Sequence, residues 1–262
     1  MATRVSTVVI AAAVCICVAA LYFASLMLRA AVVTDRRRRG AILMYCTRSI
    51  IDDWARYSIA INKQYARMHD YDLIVVSEPY DRGVTHAWQK LPAMVELLER
   101  NYDFVVYMDA DAIVNKRDIK YEHFLAKYPG DIVVCSDEAN SGGKYAVNGG
   151  MVIARNTPAA KALLRQWWAL RYAYPEFAFE QWALSDIVRN KHPRIDGSIV
   201  SVAPETDFNS TYGEILAYVN ATKGAELPER IPRPDRFVLH FMSMDSATRR
   251  GVLSMLYEED RK

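Results

Sequence analysis

The chain has 262 residues, 52% of them apolar, enough to bury one full core with a small appendage. Its net charge of +2 is unevenly spread: residues 1–40 hold six arginines against Asp35, leaving 27 basic and 30 acidic side chains elsewhere. The positive excess therefore belongs to the amino-terminal flank, and nucleic-acid binding is not implied. Of four cysteines, Cys15 and Cys17 fall in an apolar run, so Cys46 and Cys135 permit one disulfide but neither a disulfide framework nor a cysteine zinc site.

After a short tail (residues 1–4), Val5 to Leu28 carries no charged residue. As a helix it measures roughly 36 Å and spans a bilayer core of about 30 Å, so a transmembrane anchor is expected over 5–28 and a basic juxtamembrane linker over 29–40. A cleaved signal peptide would have a shorter apolar core and a small-x-small site. Two signals disagree on topology. Arg29 and Arg36 to Arg39 follow the span while only Arg4 precedes it, which favours a cytoplasm-facing domain. The sequons Asn209-Ser210-Thr211 and Asn220-Ala221-Thr222 have meaning only for a lumenal domain, in the Golgi or ER.

Within residues 41–262, Ala41 to Thr47 is a short apolar run that reads as a buried strand. Ile51 to Met68 has helical spacing (Trp54, Ile59, Ile61, Tyr65, Met68), Leu73 to Ser77 is a second strand, and His86 to Arg100 a second helix with Pro92 in its opening turns. Phe104 to Met108 is a third strand. This alternation predicts an α/β fold with parallel strands, whose ligands bind beyond the carboxyl ends of the strands. Asp131 to Cys135 and Ala146 to Ala154 are further strands, the latter interrupted by Asn148, Gly149 and Gly150, where glycine marks a bulge, a turn or close approach to a ligand. Thr157 to Tyr172 is a helix capped at Asn156 or Thr157, with Trp167 and Trp168 assigned to packing, and Phe179 to Lys191 is another helix. Residues 204–234 read as surface loops before strand character returns at Phe237 to Met242. No internal repeat is present.

The third strand runs into Asp109 and Asp111. Residues i and i+2 of an extended chain share a side, so both carboxylates aim at one point, a pattern suited to a divalent cation. A haloacid-dehalogenase-type phosphatase also uses Asp-x-Asp, but there the motif stands near the domain's start, with Thr or Val where this chain has Ile113 and a later Gly-Asp-x-x-x-Asp run that is lacking here.

Several stretches in order resemble the family of fungal α-galactosyltransferases and plant xyloglucan xylosyltransferases: YARMHDYDL (65–73), HAWQKL (86–91), YMDADAIV (107–114), NGGMVIARN (148–156) followed by Trp167, EQWAL (180–184) and His240-Phe241. The resemblance covers roughly three quarters of the chain. It implies a GT-A fold, a Rossmann-like mixed sheet with helices on both faces, and a nucleotide-diphosphate sugar as donor with a glycan or glycoconjugate as acceptor. By the same resemblance Asp109, Asp111 and His240 hold Mn²⁺ or Mg²⁺, the imidazole favouring Mn²⁺. Glu180 and Gln181 lie beneath the donor sugar as catalytic residues, Asn148, Gly149 and Gly150 line the sugar pocket, and Thr47 and Lys90 contact the donor. The family retains anomeric configuration, which assigns Gln181, aided by Glu180, to stabilising an oxocarbenium-like ion pair.

One departure stands out. The family continues His-Phe with a Gly and then a Lys that touches the diphosphate; here those places hold Ser243 and Asp245, so the positive charge falls to Arg249 or Arg250. The reading is a metal-dependent, retaining hexosyl- or pentosyltransferase tethered to a membrane. A glycogenin-like galactosyltransferase, or a catalytically dead glycan-binding protein on the same fold, are the alternatives. Oligomeric state, donor sugar and acceptor are not encoded in these motifs.

Overall fold

The computed structural model describes residues 39–210 and 235–261, all within the compact unit Arg39–Lys262. The expected anchor at 5–28, the linker up to residue 38, Asn220 and most of the expected 204–234 loops lie outside the described residues. Among the described residues, no helix is long and apolar enough to cross a membrane.

The chain opens with β1 (Gly40–Tyr45), every residue of it buried. One helical run follows, in which a π turn at Ile51–Ala55 joins Arg48–Ile50 to α1 (Arg56–Met68). Met68 is 60% exposed, so the buried face stops before the helix does. Then come β2 (Asp72–Val76), a 3₁₀ turn His86–Gln89 running into α2 (Lys90–Glu99), and β3 (Phe104–Met108). The second half comprises β4 (Ala112–Val114), α3 (Tyr121–Lys127), β5 (Ile132–Ser136), the four-residue α4 (Glu138–Ser141) and β6 (Val147–Arg155). It continues with α5 (Pro158–Ala169), α6 (Phe179–Val188), a 3₁₀ turn Gly197–Ile199, β7 (Val200–Ala203), β8 (Val238–His240) and α7 (Ser246–Glu259).

Six strands form one sheet in the order β2-β1-β3-β6-β5-β7, and β4 and β8 form a separate antiparallel ribbon. As the strand-helix alternation predicts, β2, β1 and β3 run parallel. β6 runs against both β3 and β5, which makes the sheet mixed. Period-two alternation splits the core between its faces. Ile42, Met44, Phe104, Val106 and Met108 join Ile61 and Tyr65 of α1 and Leu253 and Leu256 of α7 on one side. Ala41, Leu43, Val105 and Tyr107 join Leu91 and Met94 of α2, Leu164 and Trp167 of α5 and Leu184 of α6 on the other. Cys46 and Cys135 are buried free thiols, and burial pushes Cys46 up to about 12.

Two local devices place the site. At the start of α5 the Thr157 hydroxyl accepts from Ala160 N at 3.0 Å, with Pro158 at the first helical position, where its missing N–H costs nothing. That helix carries Trp167, fully buried, whose indole N–H donates to Glu180 O at 2.8 Å and pins the first turn of α6. On α1, Ser58 and Asn62 are polar but fully buried. Ser58 Oγ donates to Ala110 O at 2.5 Å, Asn62 Nδ2 donates to Ala112 O at 2.9 Å, and Asn62 Oδ1 accepts from Val114 N at 2.9 Å. Their spacing of one helical turn clamps the bend between β3 and β4 that presents the two aspartates.

Candidate active site

Beyond the carboxyl end of β3 the chain turns through Asp109 and Asp111 and leaves as β4. Asp109 N donates to Gly150 O at 2.8 Å and Ala112 N closes the turn on Asp109 O at 3.0 Å. β4 pairs with β8 in a register that sets Ala112 opposite His240, and Phe241 N donates to Asp111 O at 2.9 Å. His240 thereby arrives beside both carboxylates: its Nε2 is 3.3 Å from Asp111 Oδ1 and 3.5 Å from Asp109 Oδ2. One ligand atom from each of the three lies within 4.8 Å of the others.

Charge around this cluster is tightly arranged. Burial works against ionisation of Asp109, but the Lys90 ammonium and hydrogen bonds from His240 and Tyr107 hold it well below the usual carboxylate range. Tyr107 OH donates to Asp109 Oδ1 at 2.6 Å. Burial opposes the His240 imidazolium too, yet its hydrogen bonds to the two aspartates and their charge push it up to about 9. The two carboxylates that draw a proton onto the imidazole would draw a metal cation to the same point, and the metal would displace that proton.

The residues fit a divalent ion. Two carboxylates and an imidazole present a mixed oxygen and nitrogen shell, and the room between them exists because residue 150 is glycine. A Cβ there would come within 2.3 Å of His240 Cε1 and 2.6 Å of Asp109 Oδ2. Asp109, Asp111 and His240 would hold the ion.

A cavity of about 580 Å³ adjoins the cluster, with Asp109, Asp111, His240 and Arg249 at one end and Asp137, Asn148, Gly150, Glu180 and Gln181 along its wall. The Gln181 amide is fixed at both ends: Oε1 accepts from Gly149 N at 2.9 Å and Nε2 donates to Asp137 Oδ2 at 2.9 Å. Asn148 Oδ1 accepts from Gly150 N at 2.9 Å. Phe177 also lines the cavity while remaining 74% exposed.

Three of the sequence-derived residues sit elsewhere. Lys90 is 1% exposed and does not line the cavity: its Nζ pairs with Glu180 Oε1 at 2.7 Å, donates to Gly149 O at 2.6 Å and lies 4.5 Å from the Tyr107 ring centroid. Gly149 also stays behind the wall, where a Cβ would meet Glu180 Oε1 at 2.8 Å. Both glycines thus make room for neighbouring side chains. Thr47 follows β1 with its hydroxyl 3.1 Å from Ser49 Oγ and is not part of the lining.

Beyond His240 the two arginines separate. Asp245 caps α7, accepting from Thr248 N at 2.9 Å, so its charge serves the helix start. Arg249 then reaches Asp111 Oδ2 at 2.9 Å, whereas Arg250 pairs with Asp53 outside the cavity.

Sequence reasoning missed Asp137, a lone carboxylate just past β5. The β5–β6 register shifts between Val134 and Ser136, next to it, and bulges commonly re-aim residues near sites. Burial raises its carboxyl while hydrogen bonds from Asn140, Asn148 and Gln181 oppose the rise. Asn209, read as a glycosylation acceptor, is 2% exposed, with its amide 3.4 Å from Asn148 Oδ1, which leaves no room for a glycan in the folded chain.

Comparison with solved structures shows that the fold is that of GT-A glycosyltransferases. A glycosyltransferase involved in the glycosylation of the major capsid of PBCV-1 aligns with a TM-score of 0.62 at 20% identity, over 82% of this chain and 98% of that one. Mouse xyloside xylosyltransferase 1 in its apo form aligns at 11% identity over 78% of this chain and 98% of its own, with a TM-score of 0.44. Comparison with curated proteins finds no match. A family model of nucleotide-diphospho-sugar transferases matches residues 64–245, from the middle of α1 to the cap of α7. The chain therefore belongs to the nucleotide-diphospho-sugar transferase family.

Proposed function

We propose that the chain is a metal-dependent glycosyltransferase that moves a hexose or pentose from a nucleotide-diphosphate sugar to a glycan or glycoconjugate, with retention of anomeric configuration. The observation that carries this reading is the convergence of Asp109, Asp111 and His240 at one end of a cavity whose wall holds Gln181, Asp137 and Asn148. A bound Mn²⁺ or Mg²⁺ supplies Lewis-acid stabilisation of the charge that grows on the departing diphosphate.

The chain's own residues do the rest. Tyr107 and His240 orient Asp109, and Arg249 brings a positive charge to the phosphate end. Gln181, locked between Gly149 N and Asp137, presents a fixed dipole to the sugar without the reorganisation a free amide would need. Glu180, held by Lys90, keeps that turn of α6 in place. Phe177 offers an apolar face at the mouth for the acceptor sugar.

Asp137 favours a second reading, in which its carboxylate deprotonates the acceptor hydroxyl and the transfer inverts. The anomeric configuration of the first-formed product, read by proton NMR, separates the two. Ser243 and Asp245 after His240 motivate a catalytically dead protein on the same fold, and the position of Arg249, 2.9 Å from Asp111 and lining the cavity, supports the enzyme instead. The decisive experiment is nucleotide-sugar hydrolysis by the purified full-length chain with Mn²⁺. Activity that Asp111→Ala abolishes supports the enzyme; no binding and no hydrolysis of any nucleotide sugar, with Asp111→Ala inconsequential, ends it.

For location, the uncharged run at 5–28 supports a membrane anchor, and we place the catalytic domain on the lumenal side of the Golgi or ER. An endoglycosidase shift lost in Asn220→Gln supports that side. A chain that never acquires a glycan and is digested by protease added to sealed microsomes faces the cytoplasm.

A further inference from the structure

Arg249 occupies an unusual position for a residue that is to meet a diphosphate: it is already engaged with the acidic pair. Its Nη2 lies 2.9 Å from Asp111 Oδ2, on the opposite oxygen from the one facing His240. Its Nε donates to Phe241 O at 3.2 Å and its guanidinium lies 5.1 Å from the Trp54 ring centroid. The side chain is only 18% exposed and still lines the cavity. A second nearby cation, the Lys90 ammonium, is paired with Glu180 at 2.7 Å and does not line the cavity.

Formal charge then decides what Arg249 does. With His240 counted throughout as the neutral imidazole that a metal ligand must be, Asp109, Asp111 and Arg249 together carry one net negative charge. Adding a divalent ion leaves one net positive charge, and a sugar diphosphate, with about two negative charges, brings the group back to one net negative. With a neutral residue at 249, the same three states carry two negative charges, none, and two negative charges. The arginine therefore disfavours the ion alone and favours the ion together with the diphosphate.

We infer that Arg249 couples metal loading to diphosphate binding, by holding Asp111 while the donor is absent and turning its charge to the phosphates when the donor arrives. This rests on the metal site proposed above. It makes Arg249 a donor-binding residue whose effect is read in binding, before any turnover.

The test measures Mn²⁺ binding by the full-length chain from the electron paramagnetic resonance of free Mn²⁺, with and without UDP or GDP. Arg249→Gln is expected to bind Mn²⁺ alone on the order of tenfold tighter than the unchanged chain, since a unit charge a few ångströms from the ion has been removed. The boost that UDP or GDP gives to Mn²⁺ affinity is expected to shrink by a similar factor. Arg249→Lys, which keeps the charge, and Arg250→Gln, which removes one outside the cavity, should both stay near the unchanged chain. Arg249→Met, which keeps an apolar stem beside Trp54, repeats the measurement where glutamine perturbs folding. If Arg249→Gln and Arg249→Met bind Mn²⁺ no tighter and keep the full nucleotide boost, the coupling role is lost while the metal site stands. If the unchanged chain binds no Mn²⁺ in any of these conditions, the metal site itself is lost and the inference with it.

Discussion

The Lys90 ammonium sits 2.7 Å from Glu180 Oε1 with both side chains almost wholly removed from water, tying α2 to the first turn of α6 behind the cavity wall. Removing one member of such a pair strands the other, so Lys90→Met is expected to cost about 3–5 kcal/mol in urea unfolding. Lys90→Met with Glu180→Gln should recover a good part of that loss. A single variant as stable as the parent would show that the pair does not hold the two helices together.

Tyr107 does not line the cavity, yet its hydroxyl fixes one oxygen of Asp109 at 2.6 Å. Tyr107→Phe keeps the buried ring and removes only that bond. Metal affinity is expected to fall roughly 10- to 100-fold with the fold intact, as for other groups that orient a ligand. Calorimetric titration with Mn²⁺ giving an unchanged dissociation constant would assign the hydroxyl to packing alone.

Gly150 lies where a single methyl meets both His240 and Asp109. Gly150→Ala is expected to lose Mn²⁺ binding by more than about 100-fold, because the imidazole must leave its place beside the carboxylates. Gly142, whose added Cβ would meet nothing within 4 Å but whose φ is +62°, is a useful contrast. Its alanine variant should lose some stability and keep the metal, and equal metal affinity in all three proteins would refute the steric account.

Asp137 gives the expected pH dependence. Burial raises its folded-state pKa above the ordinary 3.8, so the folded chain holds the proton to higher pH than the unfolded chain does. Stability from this group therefore falls as pH rises through that window and stays lower above it. Asp137→Asn should abolish this component, unfold no earlier than the parent at neutral pH, and reduce donor turnover about tenfold or more through loss of a charged hydrogen-bond partner. Identical slopes of melting temperature against pH on the acidic side of neutrality in both proteins would contradict it.

Much of the site was legible because its central stretch is unusual: five apolar residues, Phe104 to Met108, running into two carboxylates point to a strand terminus facing a ligand. His240 was legible only through resemblance, since a histidine in FVLHFM carries no spacing signal, and its partnership with Asp111 depends on a ribbon between distant segments. β4 is three residues long and follows the aspartates at once, so it merges by eye with β3. The reversed direction of β6 is invisible to composition, because parallel and antiparallel buried strands are equally apolar. The choice between Arg249 and Arg250 needed the helix itself: neighbouring residues point about 100° apart, and only the Asp245 cap says which one faces Asp111. Ser58 and Asn62 had a signal that went unread, two hydrogen-bonding residues four apart on the inner side of α1.

All six strands of the large sheet precede residue 204, while the imidazole that completes the acidic cluster arrives with β8. A chain stopped or clipped between Ala203 and His240 would contain the segments of every strand of that platform and both aspartates, yet lack their third partner, Arg249 and the core residues of the last helix, Leu253 and Leu256. Such a molecule would lack two of the groups on which the proposed metal and phosphate site depends, so the proposed activity requires the chain through its last helix.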